Sequence, residues 1–81
     1  MEINTKRNQV AGEVRAEIAR QGKRQSDICR ATGFSSSRLS NKLRGEAPMT
    51  VDELFIIAEA LGVSVRSFIP SANEEQRRAA A

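Results

Sequence analysis

Positively charged side chains are concentrated in the middle of this sequence, where their types and spacing suit anion binding. Residues 23–45 include six Lys or Arg residues and only one acidic residue, Asp27, so the segment carries a formal charge of +5. The six cations are Lys23, Arg24, Arg30, Arg38, Lys42 and Arg44. The whole chain carries only +3, so the other residues are together acidic. This asymmetry predicts one surface that binds a polyanion.

The residue types leave little room for catalytic or metal chemistry. The sequence has no histidine, which removes the commonest general base and the usual partner of a nucleophilic serine or cysteine. Its one cysteine, Cys29, cannot close an internal disulfide or build a tetrahedral zinc site alone. We therefore interpret Cys29 as a small buried core residue. We expect a binding domain that is not an enzyme and that uses no cofactor and no metal.

Length and composition indicate one small globular domain. The 81 residues are 40% hydrophobic and 28% charged, which is typical of a folded chain. No apolar run approaches the roughly 18–20 residues of a membrane span, and residues 1–5 lack the apolar core of a signal peptide. We expect a cytoplasmic protein with no membrane partner.

Apolar periodicity and glycine stops predict an all-α fold of five short helices. The predicted ranges are about 5–21, 25–32, 36–44, 51–61 and 65–69. Ser35 and Ser64 are predicted N-caps, and Thr50 with Glu53 forms a capping box before a stripe that begins at Val51. Residues 1–70 form the predicted domain, whereas residues 71–81 are a polar tail, expected to be frayed or disordered.

Two short helices joined by a glycine turn in a basic segment are the ingredients of a helix-turn-helix. Ile28, Cys29, Gly33, Phe34 and Leu39 stand at the expected core and turn positions of that motif. From about residue 10 to 69 the chain resembles the lambda-repressor-like (Cro/phage repressor, XRE) family, and the run 39–54 is especially similar to small phage and actinobacterial regulators. The resemblance implies a compact five-helix domain that binds double-stranded DNA and regulates transcription as a repressor of phage or prophage type, in a bacterial cell or a phage-infected host.

The residues that would contact DNA follow from the third predicted helix. With Leu39 and Leu43 facing the core, the N-terminal half of the opposite face is nearest base edges in a major groove. The base-reading candidates are Ser36, Ser37, Arg38 and Asn41, and the first two and Asn41 also match base-contact positions of the family. The phosphate candidates are Arg24, Gln25, Ser40, Lys42 and Arg44. For Gln25 the resemblance implies a phosphate contact that also braces the third helix.

Two further expectations concern protein partners. Ile56 points away from the apolar stripe of its helix. The family resemblance implies pairing through the fifth helix and the segment near it, so the predicted homodimer surface consists of Ile56, Val65, Phe68 and Ile69. Pairing on DNA would then require a pseudo-palindromic operator. The alternative function is an antitoxin-like or adaptor module that binds another protein and contacts DNA only secondarily.

Overall fold

The computed structural model describes residues 2–69, with side chains from residue 7 onward. It contains α1 (Glu2–Arg20), α2 (Gln25–Thr32), α3 (Ser36–Leu43), α4 (Val51–Leu61) and a 3-10 turn (Val65–Phe68). No strand occurs in these residues, so the all-α class is confirmed for the described part of the chain. The predicted tail 71–81 lies outside the described residues.

The predicted count of five helices is not confirmed, because the last element is a 3-10 turn. Its bonds run from the Ser67 amide to the Ser64 carbonyl and from the Ile69 amide to the Arg66 carbonyl, a spacing of three residues. The chain is extended again at Ile69, so the turn is too short to develop α-helical bonds. At the other end, α1 begins at Glu2, three residues earlier than predicted.

The ends of α3 and α4 use the predicted local signals. The Ser35 hydroxyl accepts a hydrogen bond from the Arg38 amide, and the capping box between Thr50 and Glu53 is complete. Gly33, between α2 and α3, has φ +83°, a left-handed conformation that favours glycine. Its amide donates to the Cys29 carbonyl at 2.8 Å, which closes α2 immediately before the α3 cap.

One hydrophobic core connects all five elements. α2 packs on α3 and α4, while α1 packs on α3 and on the 3-10 turn. The buried cluster comprises Val14, Ile18, Ile28, Phe34, Leu39, Leu43, Leu54, Ile57, Ala58, Leu61 and Phe68. Two expectations need correction: Cys29 is only half-buried at the edge of this core, and Val51, the first residue of α4, is exposed.

Candidate nucleic-acid interface

α3 is amphipathic in the way its sequence predicts. Leu39 and Leu43 are fully buried, and they attach the helix to the core. The four base-reading candidates, Ser36, Ser37, Arg38 and Asn41, are all exposed. A short helix with two buried leucines and an exposed polar N-terminal half has the shape that a DNA major groove admits.

Three of the predicted contact residues are bonded to one another at the end of α3. The Arg44 guanidinium donates to the Ser40 hydroxyl and, at 2.6 Å, to Oδ1 of Asn41. It also donates to both carboxylate oxygens of Glu46 at 3.2 Å. The Glu46 carboxylate raises the pKa of Arg44, and Arg44 in turn lowers the pKa of Glu46.

A buried carboxylate from α4 holds two other cations of α3. Glu53 Oε2 accepts a hydrogen bond from Arg38, and Oε1 lies 2.9 Å from Nζ of Lys42. The Lys42 ammonium also donates to the Pro48 carbonyl at 2.9 Å, and only 12% of the Lys42 side chain is exposed. Lys42 was expected to extend toward phosphate, but its ammonium is bonded within the protein.

The ionisation of Glu53 follows from these contacts. Burial by itself raises the pKa of the carboxyl group, because it disfavours the charged form. The Thr50 amide, Arg38 and Lys42 outweigh that effect and lower the pKa to about 2. Glu53 is therefore ionised at neutral pH, in contact with Arg38 in the first turn of α3 and Lys42 in its last turn.

The start of α2 supplies the remaining phosphate candidates. Gln25 is the first residue of α2 and Arg24 its N-cap, and both are exposed. The Arg24 amide donates to Oδ2 of Asp27 at 2.8 Å, and the Asp27 carboxylate also pairs with Arg30 at 2.5 Å. That amide, followed by the Arg30 side chain, lowers the pKa of Asp27.

Most of the cations in the basic segment, residues 23–45, are already paired with carboxylates of the protein. Arg30, Arg38, Lys42 and Arg44 each pair with a carboxylate, two of them with Glu53. Within residues 7–69, Lys23 and Arg24 are the two cations of the segment without an ion pair.

The sequence-based prediction misses two contacts that position α3. Arg15 of α1 donates a hydrogen bond to the Leu43 carbonyl at the C-terminal end of α3. Glu53 was predicted only as a helix cap, although its buried side chain also binds α3. Neither contact leaves a local signal, because each joins residues of different helices.

The predicted dimer surface is only partly available. Phe68 has no exposed surface and fills the core, so it cannot contribute, which corrects the prediction. Ile56 is 41% exposed, and its neighbour Phe55 is 57% exposed. Val65 and Ile69 are half-buried against the core. The residues that line a shallow groove between α4 and the 3-10 turn include Phe55, Ile56, Val63 and Val65, together with the acidic Asp52 and Glu59.

The glycine turn between α2 and α3, with the exposed polar face of α3, is the arrangement of a helix-turn-helix domain. A family model described as helix-turn-helix matches residues 14–68, more than half of the chain. The chain belongs to this lambda-repressor-like helix-turn-helix family of DNA-binding regulatory domains. Comparisons with curated proteins and with solved structures gave no significant match. No helix within residues 2–69 has the length and apolar character needed to cross a bilayer.

Proposed function

We propose that the protein is a sequence-specific regulator of transcription that places α3 in the major groove of duplex DNA. The observation that carries this proposal is the division of α3 into two buried leucines and an exposed polar N-terminal half. The resemblance to small phage regulators favours a repressor of phage or prophage type.

Base selectivity is assigned to Ser36, Ser37, Arg38 and Asn41. Asparagine pairs with both hydrogen-bonding groups of adenine, and arginine pairs similarly with guanine. Oδ1 of Asn41 accepts from Arg44 in the free protein, so pairing with adenine requires Arg44 to release it. The Arg44 side chain is 53% exposed, in contrast to that of Lys42, so its guanidinium can reach a phosphate by exchanging its bonds to Asn41 and Glu46.

Phosphate contacts are assigned to Arg24, Gln25, Ser40 and Arg44, which lie at the start of α2 and the end of α3. Lys42 is left out of this set, because its ammonium is bonded to Glu53 and to Pro48. These contacts orient the domain on the duplex and carry no sequence information.

Two copies are proposed to bind a pseudo-palindromic operator with half-sites about 10 bp apart. Exposed apolar side chains at Phe55 and Ile56 support pairing through α4 and the adjacent groove. The patch is small, so we expect pairing mainly on DNA.

Selection of bound sites from random duplexes, followed by a salt titration on the selected site, tests the proposal. A regulator returns one consensus site, and its binding constant falls with salt with a log–log slope of several units. Weak binding with no preferred site would contradict the proposal and favour the adaptor alternative.

A further inference from the structure

We propose that Glu53, a residue of α4 behind the candidate interface, is a positioning residue that sets base selectivity by holding Arg38 in one conformation. This inference rests on the proposed function, because it requires that the N-terminal half of α3 meets base edges. It gives the buried carboxylate a role in addition to helix capping.

Arg38 is held from two sides. Its guanidinium donates to Glu53 Oε2, and its Cζ lies 4.6 Å from the centre of the Phe34 ring, within the range of a cation–π contact. About half of the side chain, 51%, is nevertheless exposed. The guanidinium has five N–H donors in a rigid plane, so bonding some of them to Glu53 leaves others available in a fixed direction.

Glu53 is itself fixed, so it cannot follow Arg38 toward DNA. Its side chain is 8% exposed, and Oε1 accepts from the Thr50 amide at 2.8 Å while also pairing with Lys42. Oε1 is thus tied to two separate elements, the start of α4 through Thr50 and the last turn of α3 through Lys42, while Oε2 binds Arg38.

A fixed anion beside Arg38 has opposite effects on the two kinds of DNA contact. It competes with phosphates for the guanidinium, which weakens binding to every duplex. It also holds the remaining donors in the geometry that a specific base edge requires, and base discrimination depends on that geometry. Glu53 therefore raises the ratio of specific to non-specific binding while lowering non-specific affinity.

The test is Glu53→Gln, which keeps the size of the side chain and an acceptor for the Thr50 amide but removes the charge. Arg38 is then free to bind a phosphate. At about 0.1 M salt, affinity for random duplex should rise about five- to tenfold, with a log–log salt slope about one unit steeper. The ratio of affinities for the selected site and random duplex should fall by about tenfold.

Glu17→Gln is the matched control. Glu17 is a similarly buried carboxylate with the same change in net charge, but its partners are Arg20, the last residue of α1, and Gln21, which follows it. We expect it to leave the selectivity ratio and the salt slope unchanged. An equal effect of both variants would overturn the proposal, since it would reflect net charge alone.

A double-mutant cycle with Arg38→Ala shows whether Glu53 acts through Arg38. In the Arg38→Ala background, Glu53→Gln should change neither the ratio of affinities for the selected site and random duplex nor the log–log salt slope. The proposal is overturned if the variant has no effect in the wild-type protein, or the same effect without Arg38. A wild-type protein that prefers no duplex sequence would instead overturn the proposed function.

If Glu53→Gln fails to fold, a measurement on the wild-type protein tests the contact between Glu53 and Arg38. NMR of the arginine side chains should show hindered rotation of the Arg38 guanidinium in the absence of DNA. Arg66, exposed on the 3-10 turn, provides the freely rotating reference. Equally fast rotation at both residues would refute the holding contact.

Discussion

The guanidinium of Arg15 donates a hydrogen bond to the carbonyl oxygen of Leu43, so the first helix holds the C-terminal end of the third across 28 residues of sequence. The last carbonyls of a helix have no partners within it. A positively charged donor at that end is also attracted by the negative end of the helix dipole. At the opposite end of α3, the Ser35 hydroxyl accepts from the Arg38 amide. Both ends of the candidate DNA-reading helix are therefore capped by side chains.

Replacing Arg15 with methionine should destabilise the domain by about 1–2 kcal/mol, because the Leu43 carbonyl loses a charged donor while most of the aliphatic stem remains. Urea unfolding monitored by circular dichroism measures this loss. Lys23→Met is the control, since Lys23 is exposed and makes no ion pair within residues 7–69. Equal stability of the two variants would contradict a capping role for Arg15.

Stability should decrease in acid because of Glu53. Its pKa is about 2 in the folded protein and about 4.3 in an unfolded chain, so the unfolded state binds the proton first as pH falls. The stabilisation is complete above the unfolded pKa and is lost as pH falls through the folded value, up to about 3 kcal/mol in all. Urea unfolding at pH 7 and pH 3 measures the effect. In Glu53→Gln the difference between these pH values should be smaller by about 2 kcal/mol, and an unchanged difference would contradict the assignment.

Asn41→Ala should relax base preference at one position of each half-site and weaken the best site by about 1–3 kcal/mol. The reason is that Asn41 is exposed on the face of α3 opposite the buried leucines. Site selection with the variant measures the change. Gln9→Ala, an exposed amide on α1, serves as control. Wild-type base preferences at every position would remove Asn41 from the interface.

Arg44→Ala should weaken binding to all duplexes about equally and reduce the log–log salt slope by about one unit, since one phosphate fewer is neutralised. Arg66→Ala removes the same charge outside the basic segment and should leave the slope unchanged. Gln25→Ala should weaken binding while keeping the slope, because glutamine carries no charge. Equal slopes for the Arg44 and Arg66 variants would exclude a phosphate contact at Arg44.

Ile56→Glu should abolish cooperative binding to a full operator and preserve the fold and half-site affinity. The side chain is 41% exposed, so the substitution places charge on the surface and not in the core. Analytical ultracentrifugation with and without operator, together with binding curves, measures both properties. Val51→Glu is the control, because Val51 is still more exposed but does not line the groove. One protein per operator at saturation would exclude the dimer.

The sequence predicts elements whose signals are local. Gly33 and the Thr50 capping box marked helix ends within a residue, since backbone conformation at such positions depends on the residue itself and its near neighbours. The sequence does not distinguish the 3-10 turn from a short α-helix, because the five residues between the Ser64 cap and Pro70 are too few to show a helical period.

Contacts between helices were not predictable in the same way. The positions of Lys42 and Arg38 are decided by the carboxylate of Glu53, 11 and 15 residues further along the chain. Phe68 belongs to the dimer surface that the family resemblance implies, whereas packing of the turn on α1 and α4 buries it completely. Such pairings are properties of the assembled fold.

The division of α3 between two buried leucines and an exposed polar face bears on how such a domain changes its target during evolution. Substitutions at Ser36, Ser37 or Asn41 alter the surface without touching the core, so new specificities are accessible while the fold is retained. Arg38 does not share this freedom, because its loss would leave a buried anion on a different helix with one partner fewer. Evolutionary selection for a DNA target and selection for stability therefore act on different residues of α3. Arg38 is the exception, because it contributes to both.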